Sequence, residues 1–245
     1  MPYRNDVGKQ WLVLLCTVLL LQCCEASMPS GEAVAETRTG NLSSGKETSP
    51  AVRSGPLRER GKGGAMSLEK AIYNRRSIRS FEARPLTDDE LRKLAFAAQG
   101  VTSEQGLRAA PSAGATYPLE LHIVTARGVY RYNPNTDTLG VLAHDNRMTA
   151  LAAAALGQRF VAETGATFVF GATVSRTGAR YGDRAERYVY IETGCAAENL
   201  MLTATAMGLG SVMVGAHDDG AVKRIAKLPT ESEVVVMVSV GVPKQ

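Results

Sequence analysis

Histidine and cysteine are scarce in this chain, and their scarcity removes whole classes of chemistry. Of 245 residues only three are histidine (His122, His144 and His217) and four are cysteine. None of the histidines stands at a metal-ligand spacing from a cysteine or a carboxylate, so no metal centre is expected. Cys16, Cys23 and Cys24 all fall in one N-terminal apolar segment. The rest of the chain holds only Cys195, which excludes a disulfide framework or a cysteine metal cluster there. Set among alanines in a helical pattern, Cys195 reads as a small buried hydrophobe rather than a nucleophile. There is no G-x-S-x-G elbow, no G-x-G-x-x-G after the first strand and no G-x-x-x-x-G-K-[ST] loop. The usual serine-hydrolase, dinucleotide and nucleotide motifs are therefore missing. Aromatic residues are only 6% of the chain, and residues 66–245 carry 20 basic against 18 acidic side chains with no dense basic stripe. The electrostatic footprint of nucleic-acid binding is absent.

What is present falls into three zones. Arg4 and Lys9 precede an apolar run over residues 11–21, the n-region and h-region of a secretory signal, too short for a comfortable membrane span. Cys24, Glu25 and Ala26 place cleavage after Ala26. A lipoprotein reading at Cys23 is weakened by Gln22, where a small residue is expected. An uncleaved anchor through residues 11–21, or a wrongly placed start, stays open beside the signal peptide. An exported protein, periplasmic or extracytoplasmic and possibly membrane-tethered, is the first expectation; a cytoplasmic one is the alternative. Residues 27–65 are rich in Ser, Gly, Glu, Thr, Arg and Pro with almost no large apolar side chains, the composition of a flexible linker. Residues 66–245 hold the folded domain.

Within that domain, residues 184–216 dominate. They contain no proline, and from Cys195 to Met207 they are small or apolar almost all round, which predicts a long buried central helix. Gly208 and Gly210 stop the helix. Val212, Met213 and Val214 read as a buried strand ending at Gly215 and Ala216, where backbone amides can face a ligand with no side chain between. Upstream, Ser67 caps a short helix that delivers Arg75, Arg76, Ser77, Arg79 and Ser80. Three guanidiniums and two hydroxyls in six residues suit a phosphate, although from the residues alone a solvated basic helix end is the preferred reading. Thr87 and Glu90 form a capping box for a second helix with Leu91, Leu94, Ala95 and Ala98 inward. Pro111, Ser112, Ala113, Gly114 and Tyr117-Pro118 make a stiff loop of small residues. Strands are predicted at residues 119–125, 167–173 and 233–240, a hairpin over 129–142, an alanine-rich helix over 148–161, and a short helix capped by Asp218. The hairpin breaks strict βαβ alternation, so the fold class is α+β: a sandwich with a mixed, mostly antiparallel central sheet flanked by helices. Phosphate ligands and bare-amide loops without a catalytic side-chain cluster suit an organic cofactor that carries its own chemistry.

Taken in order, Arg75-Arg76-Ser77-Ile78-Arg79-Ser80-Phe81, Pro111-Ser112-Ala113-Gly114-Ala115-Thr116-Tyr117-Pro118-Leu119-Glu120, and Ile191-Glu192-Thr193-Gly194-Cys195-Ala196-Ala197-Glu198-Asn199-Leu200 with Gly208 to Ser211 resemble the nitroreductase family of FMN-dependent oxidoreductases. The loop and the Val129-Tyr130-Arg131-Tyr132-Asn133-Pro134 hairpin look most like its azoline-dehydrogenase branch. The resemblance implies FMN held by Arg75, Ser77 and Arg79 with Arg76 assisting, and by Lys244 near the phosphate. It implies the flavin ring against Pro111, Ser112, Ala113 and Gly114 across a homodimer interface, and flavin N5 near Val214, Gly215 and Ala216. It further implies ping-pong hydride transfer from NADH or NADPH to a small acceptor such as a nitroaromatic or quinone. A thiazoline or oxazoline dehydrogenase acting on a modified peptide is the alternative, and a non-catalytic flavin-binding protein stands behind both. Tyr117 and His217 are the candidate acid–base side chains.

Overall fold

The computed structural model describes residues 66–244; the expected signal segment and linker lie outside the described residues. Six strands form one sheet in the order β3-β2-β1-β4-β6-β5: β1 Leu119–Thr125, β2 Gly128–Asn133, β3 Thr138–Ala143, β4 Ala166–Ala172, β5 Gly210–Val214 and β6 Glu233–Gly241. Every strand pair is antiparallel. Among the described residues the parallel component is one bridge, Ser77 to Ser211. Among the described residues seven α-helices accompany the sheet: α1 Leu68–Asn74, α2 Asp88–Gln99, α3 Met148–Ala154, α4 Phe160–Glu163, α5 Val174–Tyr181, α6 Ala185–Ala206 and α7 Asp219–Ala226.

Strands β1 and β4 are buried at every position, because both of their faces are covered. Leu119, Leu121, Ile123, Phe168 and Phe170 point into one core with α2 and α6. Val124 and Val169 point into the other with α3 and α7. This is the period-two alternation of a strand, with apolar side chains on both sides. Helix α2 starts where its capping box dictates: Glu90 N–H donates to Thr87 Oγ1, and Thr87 N–H donates to Glu90 Oε2 at 2.8 Å. Arg84 grips the same carboxylate from both nitrogens at 3.1 and 2.9 Å. The predicted inward residues Leu91, Leu94, Ala95 and Ala98 are all buried.

Helix α6 runs 22 residues through the centre of the first core and buries nine of them, among them Leu200 and Ala204. Its small residues let α2 and the sheet come close. Its opposite side leaves Tyr190 51% and Ile191 58% exposed. One local expectation fails, and one element was not expected. The alanine-rich helix over 148–161 is broken into α3 and α4, because Leu156 and Gly157 adopt left-handed φ of 55° and 77°. Gly157 takes that conformation without a Cβ penalty, and the Gly157 N–H closes onto Ala152 O. Helix α5 is an addition, for its window of Val, Ser, Arg, Thr and Gly carries no strong propensity. Leu200 is fully buried between α6 and the sheet. Leu200→Ala is expected to cost about 2–5 kcal/mol in urea denaturation, through lost transfer energy and a residual cavity.

Candidate functional site

Helix α1 ends at Arg75, whose φ of −57° and ψ of 123° turn the chain into extended backbone. Arg76 folds back on the helix: its Nη1 donates to the carbonyls of Tyr73 at 3.0 Å and Arg75 at 2.7 Å, closing the helix end. Ser77 then bridges to Ser211 of β5, and Ile78 N–H donates to Ser211 O at 2.9 Å. Alternation along this segment sets Ser77 and Arg79 on the side opposite Ile78. Ile78 lies against Gly210, where an added Cβ would meet the Ile78 Cβ at 2.9 Å. Phe81, 1% exposed, anchors the far end and bridges to Pro243. Lys244 N–H donates to Ser80 O at 3.0 Å, which carries the last described residue to the same edge. Arg75 Nε lies 3.5 Å from Glu198 Oε1 in a half-exposed pair worth little to stability. Arg79 is exposed and, among the described residues, has no carboxylate within 4.0 Å.

Strand β5 delivers the second group. Val214 is buried, while Gly215 and Ala216 emerge exposed, and a Cβ on Gly215 would touch nothing within 4 Å. His217 follows with its side chain 3% exposed. Its Nδ1 lies 2.8 Å from Asp219 Oδ1 but outside hydrogen-bonding geometry, and its Nε2 has no partner. Gly215 and His217 line a cavity of about 440 Å³ with Thr193 and Gly194 of α6.

The third group is the loop over residues 111–118. Tyr117 N–H donates to Ser112 Oγ at 3.0 Å, and Thr116 and Thr177 share a hydroxyl bond of 2.8 Å. Gly114, Ala115 and Tyr117 all have left-handed φ, of 59°, 53° and 45°. For Ala115 and Tyr117 that costs about 1–3 kcal/mol each, so surrounding contacts must hold the loop. They do: the Arg108 guanidinium lies 4.4 Å over the Tyr117 ring, and Arg176 Nη1 donates to Tyr117 O at 3.4 Å. Gly114 takes its left-handed φ without a Cβ penalty, and it lies against the Tyr181 hydroxyl and the Arg180 guanidinium.

Arg75, Ser77, Arg79 and Lys244 are thus gathered at the start of β5, and Gly215 and Ala216 follow at the far end of the same edge strand. Gly114 instead lies against Arg180 and Tyr181 of α5, and the Ser112 hydroxyl faces Glu192 of α6. Tyr117 belongs to this loop and His217 to the turn after β5, and among the described residues no hydrogen bond joins them.

Against known proteins, residues 72–242 match the nitroreductase family. The chain belongs to that family. A protein of Methanocaldococcus jannaschii assigned to the nitroreductases is 41% identical over 169 residues, spanning 66% of this chain and 85% of that one. A Ralstonia eutropha crystal structure with the same assignment superposes at a TM-score of 0.67 with 26% identity, covering 77% of this chain and 89% of that one. The NADPH:FMN oxidoreductase of Vibrio harveyi, solved with NAD⁺, shares the fold at a TM-score of 0.54 with 24% identity over 73% of this chain and 69% of that one. Membership makes the chain an oxidoreductase.

Sequence reasoning missed three buried ionisable groups of this nitroreductase-family domain, two of which, Glu192 and Glu120, connect to the loop. Glu192 of α6 is 3% exposed. Burial pushes its carboxyl up to about 7, against the opposing pull of the Ser112 hydroxyl and the Arg108 charge. Glu120 of β1 meets Arg176 at 3.0 Å and Arg131 at 3.6 Å. His122 Nδ1 lies 2.7 Å from Ala226 O, so that nitrogen carries the proton and donates, and burial keeps the ring below its ordinary pKa. The one available signal was a glutamate inside an otherwise small and apolar helix pattern.

Glu192 carries a consequence for stability. Its folded pKa is raised, so its contribution is full below the ordinary value of 4.5 and is lost as pH rises through about 7. Urea denaturation across that window is expected to show wild-type stability falling by on the order of 3 kcal/mol from this group. Glu192→Gln removes that part of the slope; an unchanged slope in the variant would contradict the assignment.

Proposed function

We propose that this chain is an FMN-dependent oxidoreductase that passes hydride from NADH or NADPH to a small acceptor such as a nitroaromatic or a quinone. The observation that carries the reading is that Arg75, Ser77, Arg79 and Lys244 are tied to the start of the edge strand β5, whose far end leads into the bare backbone of Gly215 and Ala216. The residues fit the group. Arg79 is a guanidinium free of carboxylates among the described residues, suited to a phosphate. Space beside Gly215 admits a flat ring close to the main chain.

FMN, when bound, supplies a two-electron carrier that accepts hydride at N5. Arg75 and Arg79 would hold its phosphate with Ser77 on the ribityl chain, Lys244 would add positive charge, and Arg76 would fix the helix end from which the segment departs. Amides of residues 214–216 would face N5 and favour negative charge developing on the ring. His217, buried with an unpartnered Nε2 beside Gly215, is placed to hold or accept a proton there.

A second copy of the chain completes the reading. Pro111, Ser112, Ala113 and Gly114 do not meet the arginine edge of their own chain, so in a homodimer they would approach the ring held by the other subunit. Exposed apolar side chains support that assembly: Leu68, Ile72 and Tyr73 on α1, and Tyr190 and Ile191 on α6.

Purified protein is expected to be yellow or to take up FMN, with NADH or NADPH bleaching the bound flavin. A dehydrogenase of azoline rings would bind the flavin but leave it unreduced by either nicotinamide. Arg75→Ala and Arg79→Ala are each expected to weaken FMN binding by about 1.5–3 kcal/mol, read by fluorescence titration. Unchanged affinity in both variants would place the phosphate elsewhere.

A further inference from the structure

Strands β1 and β2 do not pair along their full length. Their register runs from His122–Arg131 to Thr125–Gly128 and stops there. Leu119 and Glu120 continue on β4, while Tyr132 and Asn133 continue on β3. The parted ends enclose a cavity of about 440 Å³. Leu119, Leu121 and Leu142 supply apolar wall, and Gln99, Arg108 and Glu120 supply polar groups.

Those polar groups are not satisfied by the protein. Gln99 is 2% exposed; its Oε1 accepts from Arg108 Nη1 at 2.8 Å, but its Nε2 has no partner. An unpaired buried amide donor is costly and marks a missing acceptor. Arg108 is half-buried and, among the described residues, has no carboxylate within 4.0 Å, although burial works against its charge. The other two guanidiniums at the cavity, Arg131 and Arg176, are already committed to Glu120. Glu120 itself keeps one buried oxygen, Oε2, without a hydrogen bond. The cavity therefore offers, side by side, a guanidinium that has no carboxylate within 4.0 Å among the described residues and an amide N–H without a partner, with an apolar wall and a carboxylate oxygen able to take a donor.

We propose that this cavity binds a small monocarboxylate with an apolar body, its two oxygens held by Arg108 and Gln99 Nε2 and a hydroxyl or N–H at its other end donating to Glu120 Oε2. A two-oxygen anion matches a guanidinium and an amide better than a single-point acceptor does. The site backs onto the strained loop: Arg108 stacks on Tyr117, and Arg176 binds both Glu120 and the Tyr117 carbonyl. Occupancy is thus connected to the loop through residues that already touch both.

The test is calorimetric titration of the full chain with 4-hydroxybenzoate and with its neutral isostere 4-hydroxybenzamide. The carboxylate is expected to bind saturably, at least about tenfold tighter than the amide. Gln99→Met and Arg108→Met, checked for folding by circular dichroism, are each expected to weaken it by about tenfold or more, whereas Arg79→Ala leaves it unchanged. Equal affinity for the two probes, no saturable heat, or loss of binding in Arg79→Ala overturns the proposal. The acid–amide comparison needs no variant and no flavin, so its failure leaves the flavin reading untouched, and failure of the flavin reading leaves it standing.

Discussion

The arginine-bearing segment is useful only because it is sewn to the edge of the sheet. One backbone bond, Ile78 N–H to Ser211 O, begins the seam, and Glu82 N–H to Val242 O and Lys244 N–H to Ser80 O continue it. Without these bonds residues 75–81 would be a free basic arm after a helix of seven residues that buries only Ala71. With them, side chains separated by some 170 positions in the sequence lie on one edge, and the alternation of extended backbone decides which of them face out. Gly210 makes the seam possible, since any side chain there would push Ile78 away from β5.

Much of the architecture was legible in the residues. Leu119–Thr125 alternates and is bounded by Pro118 and a turn, and it forms that strand to the residue. Thr87 and Glu90 announced their helix by hydrogen-bonding chemistry that is local in sequence. The central helix stood out because twenty-two residues without proline, rich in alanine, have few other stable options. Failures came where local pattern is weak. The alanines before Leu156 favour a helix, and the one local mark of the left-handed break that separates α3 from α4 is Gly157, which the alanine-rich pattern outweighs.

The candidate site was legible in its parts and not in its connections. Arg75, Ser77, Arg79 and Gly215 could be named from residue type and spacing. That Arg76 serves the helix end instead of pointing outward depends on side-chain geometry. Glu120, His122 and Glu192 were invisible as a group, because burial sets their ionisation, and burial depends on which strands and helices pack over them. The parting of β1 from β2 is likewise a property of pairing register, which no single strand encodes.

The family membership and the arginine edge lead to one central proposal: two copies of this chain would hold a flavin phosphate on Arg75 and Arg79 of one subunit with the loop of the other against the ring. A crystal structure of the full chain grown with FMN tests it most directly. The account predicts phosphate oxygens at about 3 Å from both guanidiniums, the ring beside Gly215, and Ser112 to Gly114 of a second copy packed on its face. Flavin seated elsewhere, or Arg75 and Arg79 paired only with protein carboxylates in a crystal that contains the cofactor, would contradict it.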